Sequence, residues 1–209
     1  MSEPVCALCF DLLSALLDSW TLWDDVAESL GPLGSRALGQ PWRRRYLERT
    51  AAAGAYVPYL DIVSAAAVDV GLPRKAASIL EERWDTLEPW SDVLPGLANI
   101  DLPRAVLTNC SEELGRRAAA LVGVPFDVVL TAERAGAYKP DRAPYQLVAA
   151  ELGVAPEDIA YLAGSAFDAV GAEQFGFRVT WVNRLADPRP VGFHGPILDS
   201  LRTWWPAFS

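Results

Sequence analysis

"CFDLLSALLDS", residues 9–19, decides how the rest of the chain is read. The apolar run Val5-Cys-Ala-Leu-Cys-Phe10 ends on a carboxylate, Asp11, the pattern of a buried strand that delivers an acidic residue to a sheet edge. If residues 5–10 are a strand, its two-residue period sends Cys6 and Cys9 to opposite faces, so their C-x-x-C spacing makes no metal or redox pair. With no second Cys pair and only one histidine, His194, the sequence disfavours a structural zinc site, which usually takes four Cys or His ligands; His194 reads as a loop residue. Three cysteines also make no fully paired disulfide framework, which fits a reducing compartment.

Downstream, residues 18–88 carry helical periodicity and few strand signals. Leu60, Val63, Ala67 and Val70 fall at helical spacing, and Gly71-Leu72-Pro73 stops that helix and starts another. This stretch reads as an all-helical insert, closed by the turn-rich Pro89-Trp90-Ser91-Asp92-Val93-Leu94-Pro95-Gly96. From residue 97 short apolar runs alternate with helices: strands over 104–107, 127–130, 159–162 and 178–182, and helices over 111–122, 140–152 and 168–175. The expected fold is therefore α/β, a Rossmann-like doubly wound parallel sheet built from residues 1–17 and 89–209, with the insert at 18–88.

Composition narrows the partners. The 209 residues carry a net charge of −9, 51% hydrophobic and 22% charged residues, and the sequence pI is near 4.6. A phosphodiester backbone would be repelled, and Arg43-Arg44-Arg45 is too short a basic cluster to reverse that. No apolar run reaches the roughly 20 residues of a membrane helix, and Met1-Ser2-Glu3-Pro4 lacks the basic start of a signal peptide, so the expectation is a cytoplasmic protein bound to neither nucleic acid nor membrane.

In parallel sheets ligands bind beyond the carboxyl ends of the strands, at a topological switch point. The residues there are Asp11, Thr108-Asn109, Lys139-Pro140, and Gly164-Ser165 with Asp168. Each has an ordinary reading: Asp11 or Asp168 as a helix cap, Thr108-Asn109 as a turn, Lys139 as a solvated charge. Together they bring two carboxylates, a hydroxyl, an amide and a lysine to one edge.

This order, with Lys139-Pro140-Asp141, Gly164-Ser165-Ala166-Phe167-Asp168, Phe175-Gly176-Phe177 and Trp181-Val182-Asn183-Arg184, resembles the haloacid dehalogenase superfamily over nearly the whole chain. The insert is similar to that superfamily's cap. "PWRRRYLERT" (41–50) and "FGFRVTWVNR" (175–184) resemble the 2-haloacid dehalogenase branch.

The resemblance implies Asp11 as the nucleophile that displaces halide, or another leaving group, from C2 of a small carboxylate and forms an ester, with Arg43 and Asn109 holding the departing halide. It implies Asp168 as the base for the water that opens the ester, Lys139 fixing the carboxylates by charge, and Thr108 with backbone N–H groups receiving the substrate carboxylate. Leu13 takes the place of an aromatic wall, and Phe167 keeps one. No cofactor is implied. Caps of this kind often pair two subunits, so a homodimer is expected.

The phosphatases of the superfamily need a second aspartate two residues after the nucleophile and an acidic pair for Mg²⁺. Here those positions hold Leu13 and Gly164-Ser165. The first motif also departs from the usual Asp-x-x-Gly-Thr, with Ser14-Ala15 in place of glycine and threonine. In the fourth motif a hydroxyl and an amide that would orient the water become Ala163 and Ser165. Two alternatives therefore stay beside the metal-independent dehalogenase: a phosphatase with an unusual first motif, requiring Mg²⁺, and a binding protein that keeps the fold with little or no catalysis. The tryptophans in or beside the insert read as packing between insert and sheet, and Trp204-Trp205 as docking the C-terminal tail.

Overall fold

The computed structural model describes residues 4–30, 33–98 and 100–204. The strands β1 (Ala7–Phe10), β2 (Arg104–Thr108), β3 (Val128–Thr131), β4 (Ile159–Ala163), β5 (Arg178–Val182) and β6 (Ile197–Leu198) form one sheet in the order β3-β2-β1-β4-β5-β6. All pairings are parallel, with Cys9 beside Ala105 on one side and Tyr161 on the other. β1 is therefore the switch point, and Asp11 follows it directly.

β1 reads as a continuous apolar run because both of its faces are covered. Leu8 and Phe10 enter the core on one side, Ala7 and Cys9 the core on the other. Cys6 lies just before the strand and is exposed, while Cys9 is buried. The four strands expected after residue 97 are present, shifted by at most a residue at their ends. β6 was not anticipated, since two residues carry no periodicity. The short helix Ala132–Ala135 after β3 was missed for the same reason.

The helices α1 (Ser19–Ser29), α2 (Gly39–Ala52), α3 (Tyr59–Asp69) and α4 (Ala76–Glu82) form a layer over the carboxyl edge of the sheet. The chain leaves the sheet and returns at adjacent points: Leu17 pairs with Pro89 in an antiparallel bridge, and Asp18 N–H donates to the Glu88 carbonyl at 2.8 Å. α3 buries Tyr59, Ile62, Val63, Ala66 and Ala67, a face turned slightly from the expected one, which leaves Leu60 and Val70 half-buried. Gly71 ends that segment with φ of 86°, a conformation that costs glycine little.

Aromatic packing joins the two layers. Trp23 meets Trp42 and Tyr46, Tyr46 meets Tyr59, and Tyr59 meets Trp84. The Trp84 indole then donates to the Leu114 carbonyl at 2.8 Å, in the helix Glu112–Leu121 of the sheet layer. Trp204 is buried and donates to the Gly96 carbonyl at 3.1 Å; Trp205 lies outside the described residues. Among the described residues no helix is long and apolar enough to cross a membrane.

Candidate active site

Asp11 ends β1 by starting a five-residue wide helical turn, Leu12–Leu16, closed by Leu17 N–H donating to the Leu12 carbonyl at 3.0 Å. The carboxylate is shared between two tasks. Oδ2 accepts from the backbone N–H groups of Ser14 at 3.1 Å and Ala15 at 3.4 Å, and Oδ1 accepts from Lys139 Nζ at 2.8 Å. The cap reading of Asp11 and the nucleophile reading are thus compatible: one oxygen caps the turn, and the group as a whole faces the chamber between the layers.

The turn itself is held from outside. The Leu13 carbonyl accepts from Ser19 Oγ and from Arg43 Nη2, the latter at 3.3 Å. The Ser14 carbonyl accepts from the Trp90 indole at 3.1 Å and the Ala15 carbonyl from Arg184 Nη2 at 3.0 Å. Arg184 is anchored by a buried ion pair to Asp92 at 2.7 Å. With the Leu13 and Ser14 carbonyls captured on the far side, those two peptide planes turn their N–H groups, on Ser14 and Ala15, toward Asp11. Gly164, at the end of β4, completes the enclosure, because a Cβ there would lie 2.3 Å from Asp11 Oδ2 and 2.7 Å from Ala15 N.

Lys139 is not solvated. Its side chain is 3% exposed, and Nζ lies within hydrogen-bond distance of Asp11 Oδ1, the Leu107 carbonyl at 2.8 Å, Tyr161 Oη at 2.9 Å and Asp168 Oδ2 at 3.0 Å. Burial alone would lower the pKa of this ammonium; Asp11 and Asp168 beside it outweigh that and raise it. Asn109 holds the loop: Nδ2 donates to the Lys139 carbonyl at 2.9 Å, and Lys139 N–H donates to Oδ1 at 2.7 Å. The expected halide donor therefore spends most of its amide on the backbone and keeps one N–H.

Asp168 sits in the first turn of the helix Ala166–Phe175, but Ser165, not Asp168, caps that helix. The Asp168 carboxylate receives the Tyr145 and Tyr161 hydroxyls, each at 2.9 Å, besides Lys139. Three donors leave one of its roughly four lone-pair positions free. Burial pushes its pKa up, against the opposing pull of Lys139. Tyr145 and Tyr161 were missed in the sequence; a phenol inside an apolar strand is the one signal that pointed to Tyr161.

Arg43 descends from α2 and is buried, its guanidinium 4.7 Å from the Trp20 ring centroid. Nη2 donates to Ser14 Oγ at 2.7 Å, which gives a role to the serine that stands where the family has glycine. Nε and Nη1 have no protein partner, and neither does the buried hydroxyl of Thr108. Asp11, Leu13, Ser14, Arg43, Thr108, Asn109, Lys139, Ser165, Phe167 and Asp168 all line one cavity of about 20 Å³, room for roughly one water. Phe167 is 49% exposed and forms the lip of the cavity, not an inner wall. A second cavity of about 140 Å³ shares Leu47, Ser165 and Phe167 with the first and adds Trp20, Arg44 and Asp187.

The donor set does not suit Mg²⁺. The Lys139 ammonium already stands between the two carboxylates, Gly164 leaves no room for a further acid, and among the described residues no three His, Cys, Asp or Glu side chains come together.

Comparison with known proteins agrees with this geometry. The chain is 28% identical over 192 residues to the (S)-2-haloacid dehalogenase of Xanthobacter autotrophicus, covering 86% of this chain and 76% of that one. It is 26% identical over 214 residues to haloacetate dehalogenase H-2 of a Moraxella species, covering 93% and 95%. The solved structure of the X. autotrophicus L-2-haloacid dehalogenase superposes with a TM-score of 0.81 at 24% identity, over 95% of this chain and 96% of the other. A model of the haloacid dehalogenase-like hydrolases matches residues 7–176. With the Asp11 carboxylate at the sheet's switch point and a family match over most of its length, the chain belongs to the haloacid dehalogenase-like hydrolases.

Proposed function

We propose that this hydrolase is a metal-independent 2-haloacid dehalogenase. The observation that carries the reading is the pairing, in one closed chamber, of a carboxylate fixed by Lys139 and two N–H groups with a buried guanidinium that keeps unpartnered N–H groups. Such a site supplies a nucleophile and a receptor for a departing anion, and it has no acid at Leu13 to protonate an alkoxide.

In this mechanism Asp11 attacks C2 of a 2-halocarboxylate, the carbon–halogen bond breaks, and halide leaves toward Arg43 Nε and Nη1. Thr108 Oγ1 and neighbouring N–H groups receive the substrate carboxylate. Water then attacks the carbonyl carbon of the Asp11 ester, giving one proton to the open position on Asp168. The acyl C–O bond breaks, the departing alkoxide takes that proton back from Asp168, and the 2-hydroxy acid leaves as the Asp11 carboxyl is regenerated and loses the second water proton to solvent. Lys139 holds the Asp11 and Asp168 carboxylates in place by hydrogen bonds to both. Asn109 acts mainly by holding the Lys139 loop, with one N–H left for halide. The cavity has room for roughly one water, so a haloacid needs the chamber to widen, which a lift of the helical layer away from the sheet would supply.

The test is halide release from 2-chloropropionate and monochloroacetate by purified protein in the presence of a chelator, compared with Asp11→Asn. Turnover by the wild type and none by the variant is expected. Failure across a panel of chloro-, bromo- and fluoro-acids would overturn the reading.

A further inference from the structure

Tyr161 lies on β4, two residues before Ala163 and on the same face of the strand, in the same core as Cys9 and Tyr145. Ala163 brings only a methyl group to the strand end where the family resemblance places a hydroxyl. Tyr161 brings a hydroxyl up from below: Oη is 2.9 Å from Lys139 Nζ and 2.9 Å from both oxygens of Asp168. The residue is fully buried, its ring stacked on Phe177 at 5.5 Å and set edge-on to Tyr145 at 6.0 Å.

The direction of these bonds follows from valence. An ammonium has no lone pair, so Lys139 donates and the Tyr161 oxygen accepts; the single phenol proton is then directed to Asp168. Lys139 has three N–H groups for four acceptors, and Tyr161 resolves the excess by carrying part of the contact between the ammonium and Asp168 through its own O–H. Tyr145 differs, since it touches Asp168 and not Lys139.

We propose that Tyr161 is a positioning residue for the hydrolytic half-reaction, its hydroxyl bridging Lys139 to Asp168 so that ammonium and carboxylate stay charged and fixed while the ester is attacked. This rests on the dehalogenase reading of the site. The charged and titratable groups facing the bridge are Asp11 and Cys9 from β1 and its end, Lys139 from the loop before the helix Arg142–Leu152, Tyr145 from that helix, and Asp168 from the helix Ala166–Phe175. The Cys9 thiol is pushed far up by burial and stays neutral, so the bridge is governed by Lys139 and the two carboxylates.

Tyr161→Phe removes one oxygen and keeps the ring. Without it Lys139 loses an acceptor and Asp168 loses a donor, so the lysine titrates lower and the carboxyl higher. The expected result is a pH–rate profile narrowed on both limbs, with ester hydrolysis slowed about ten- to hundred-fold and the initial burst of halide release changed less. Tyr145→Phe is expected to move the acid limb alone. A Tyr161→Phe profile whose basic limb stays in place, or one that coincides with that of Tyr145→Phe, would overturn the proposal.

A wild type that releases no halide would overturn the proposed function and with it the hydrolytic role of Tyr161, whereas the bridge itself is tested separately, because the Lys139 titration can be followed by NMR of the side-chain nitrogen. Lys75 is the only other lysine in the chain, so Lys75→Arg assigns the signal. An unchanged Lys139 titration in Tyr161→Phe would then overturn the bridge.

Discussion

Ser14 Oγ accepts a hydrogen bond from Arg43 Nη2 at 2.7 Å, tying the loop after Asp11 to the overlying helix. Both residues are buried, so the bond is made to a charge away from bulk water, where such bonds contribute roughly 1.5–3 kcal/mol. Ser14→Ala leaves Nη2 with the Leu13 carbonyl alone. Halide release in the first turnover is expected to slow about tenfold, with ester hydrolysis unchanged, as read by rapid-quench kinetics.

Gly164→Ala is expected to be far more damaging than its size suggests. The added Cβ would stand 2.3 Å from Asp11 Oδ2, 2.6 Å from Ser14 Cβ and 2.7 Å from Ala15 N. Backbone and a pinned carboxylate give way poorly, so overpacking of about 1–3 kcal/mol is expected. Displacement of Asp11 by about an ångström would cost on the order of 100-fold in turnover. Thermal denaturation and halide release measure the two effects separately, and a variant with normal activity would contradict the close approach.

Lys139→Met leaves Asp11 and Asp168 buried together without their shared cation. A loss of about 3–5 kcal/mol is expected at neutral pH. Part of it returns as pH falls, since protonating the Asp168 carboxyl, whose pKa burial already raises, removes the repulsion. The wild type shows the opposite edge. Lys139 has a raised pKa in the folded protein, so its contribution is fully present below the ordinary lysine value of about 10.4 and is lost as pH rises through the folded value. Urea midpoints across pH for both proteins check the two signs.

Arg44 from α2 reaches Asp187, after β5, with contacts of 2.9 and 3.2 Å beside the outer cavity. The pair is about half and one-third exposed, so it contributes at most about 1 kcal/mol to stability. Asp187→Ala is nonetheless expected to raise kcat/KM several-fold by easing the lift of the helical layer that would widen the chamber for substrate. A denaturation midpoint close to wild type, with kcat/KM increased, is the predicted pairing; unchanged kinetics would mean that this contact does not limit entry.

Much of this architecture could be read from the chain alone. The run Val5–Phe10, the later apolar segments and the turn signals around Gly71 and Pro89 report local periodicity, which depends on neighbours in sequence. That is why the doubly wound sheet, the helical layer and the edge residues Asp11, Thr108, Asn109, Lys139, Ser165 and Asp168 were all legible. β6 was not, because two residues have no period, and Tyr145 and Tyr161 were not, because an aromatic in a helix or strand reads first as core.

What the sequence determined by itself is which residue types stand at the strand ends and which acids are missing there, since strand order and chain direction bring those ends to one edge. Only the tertiary structure decided what each group is free to do. It ties Asn109 to the Lys139 backbone, gives Ser14 to Arg43, surrounds Asp168 with two phenols and captures the Leu13, Ser14 and Ala15 carbonyls from distant residues. Hydrogen-bond capacity is finite and settled by angstrom-scale approach between segments far apart in the chain, so a list of residue types cannot show which lone pairs and protons remain to meet a substrate.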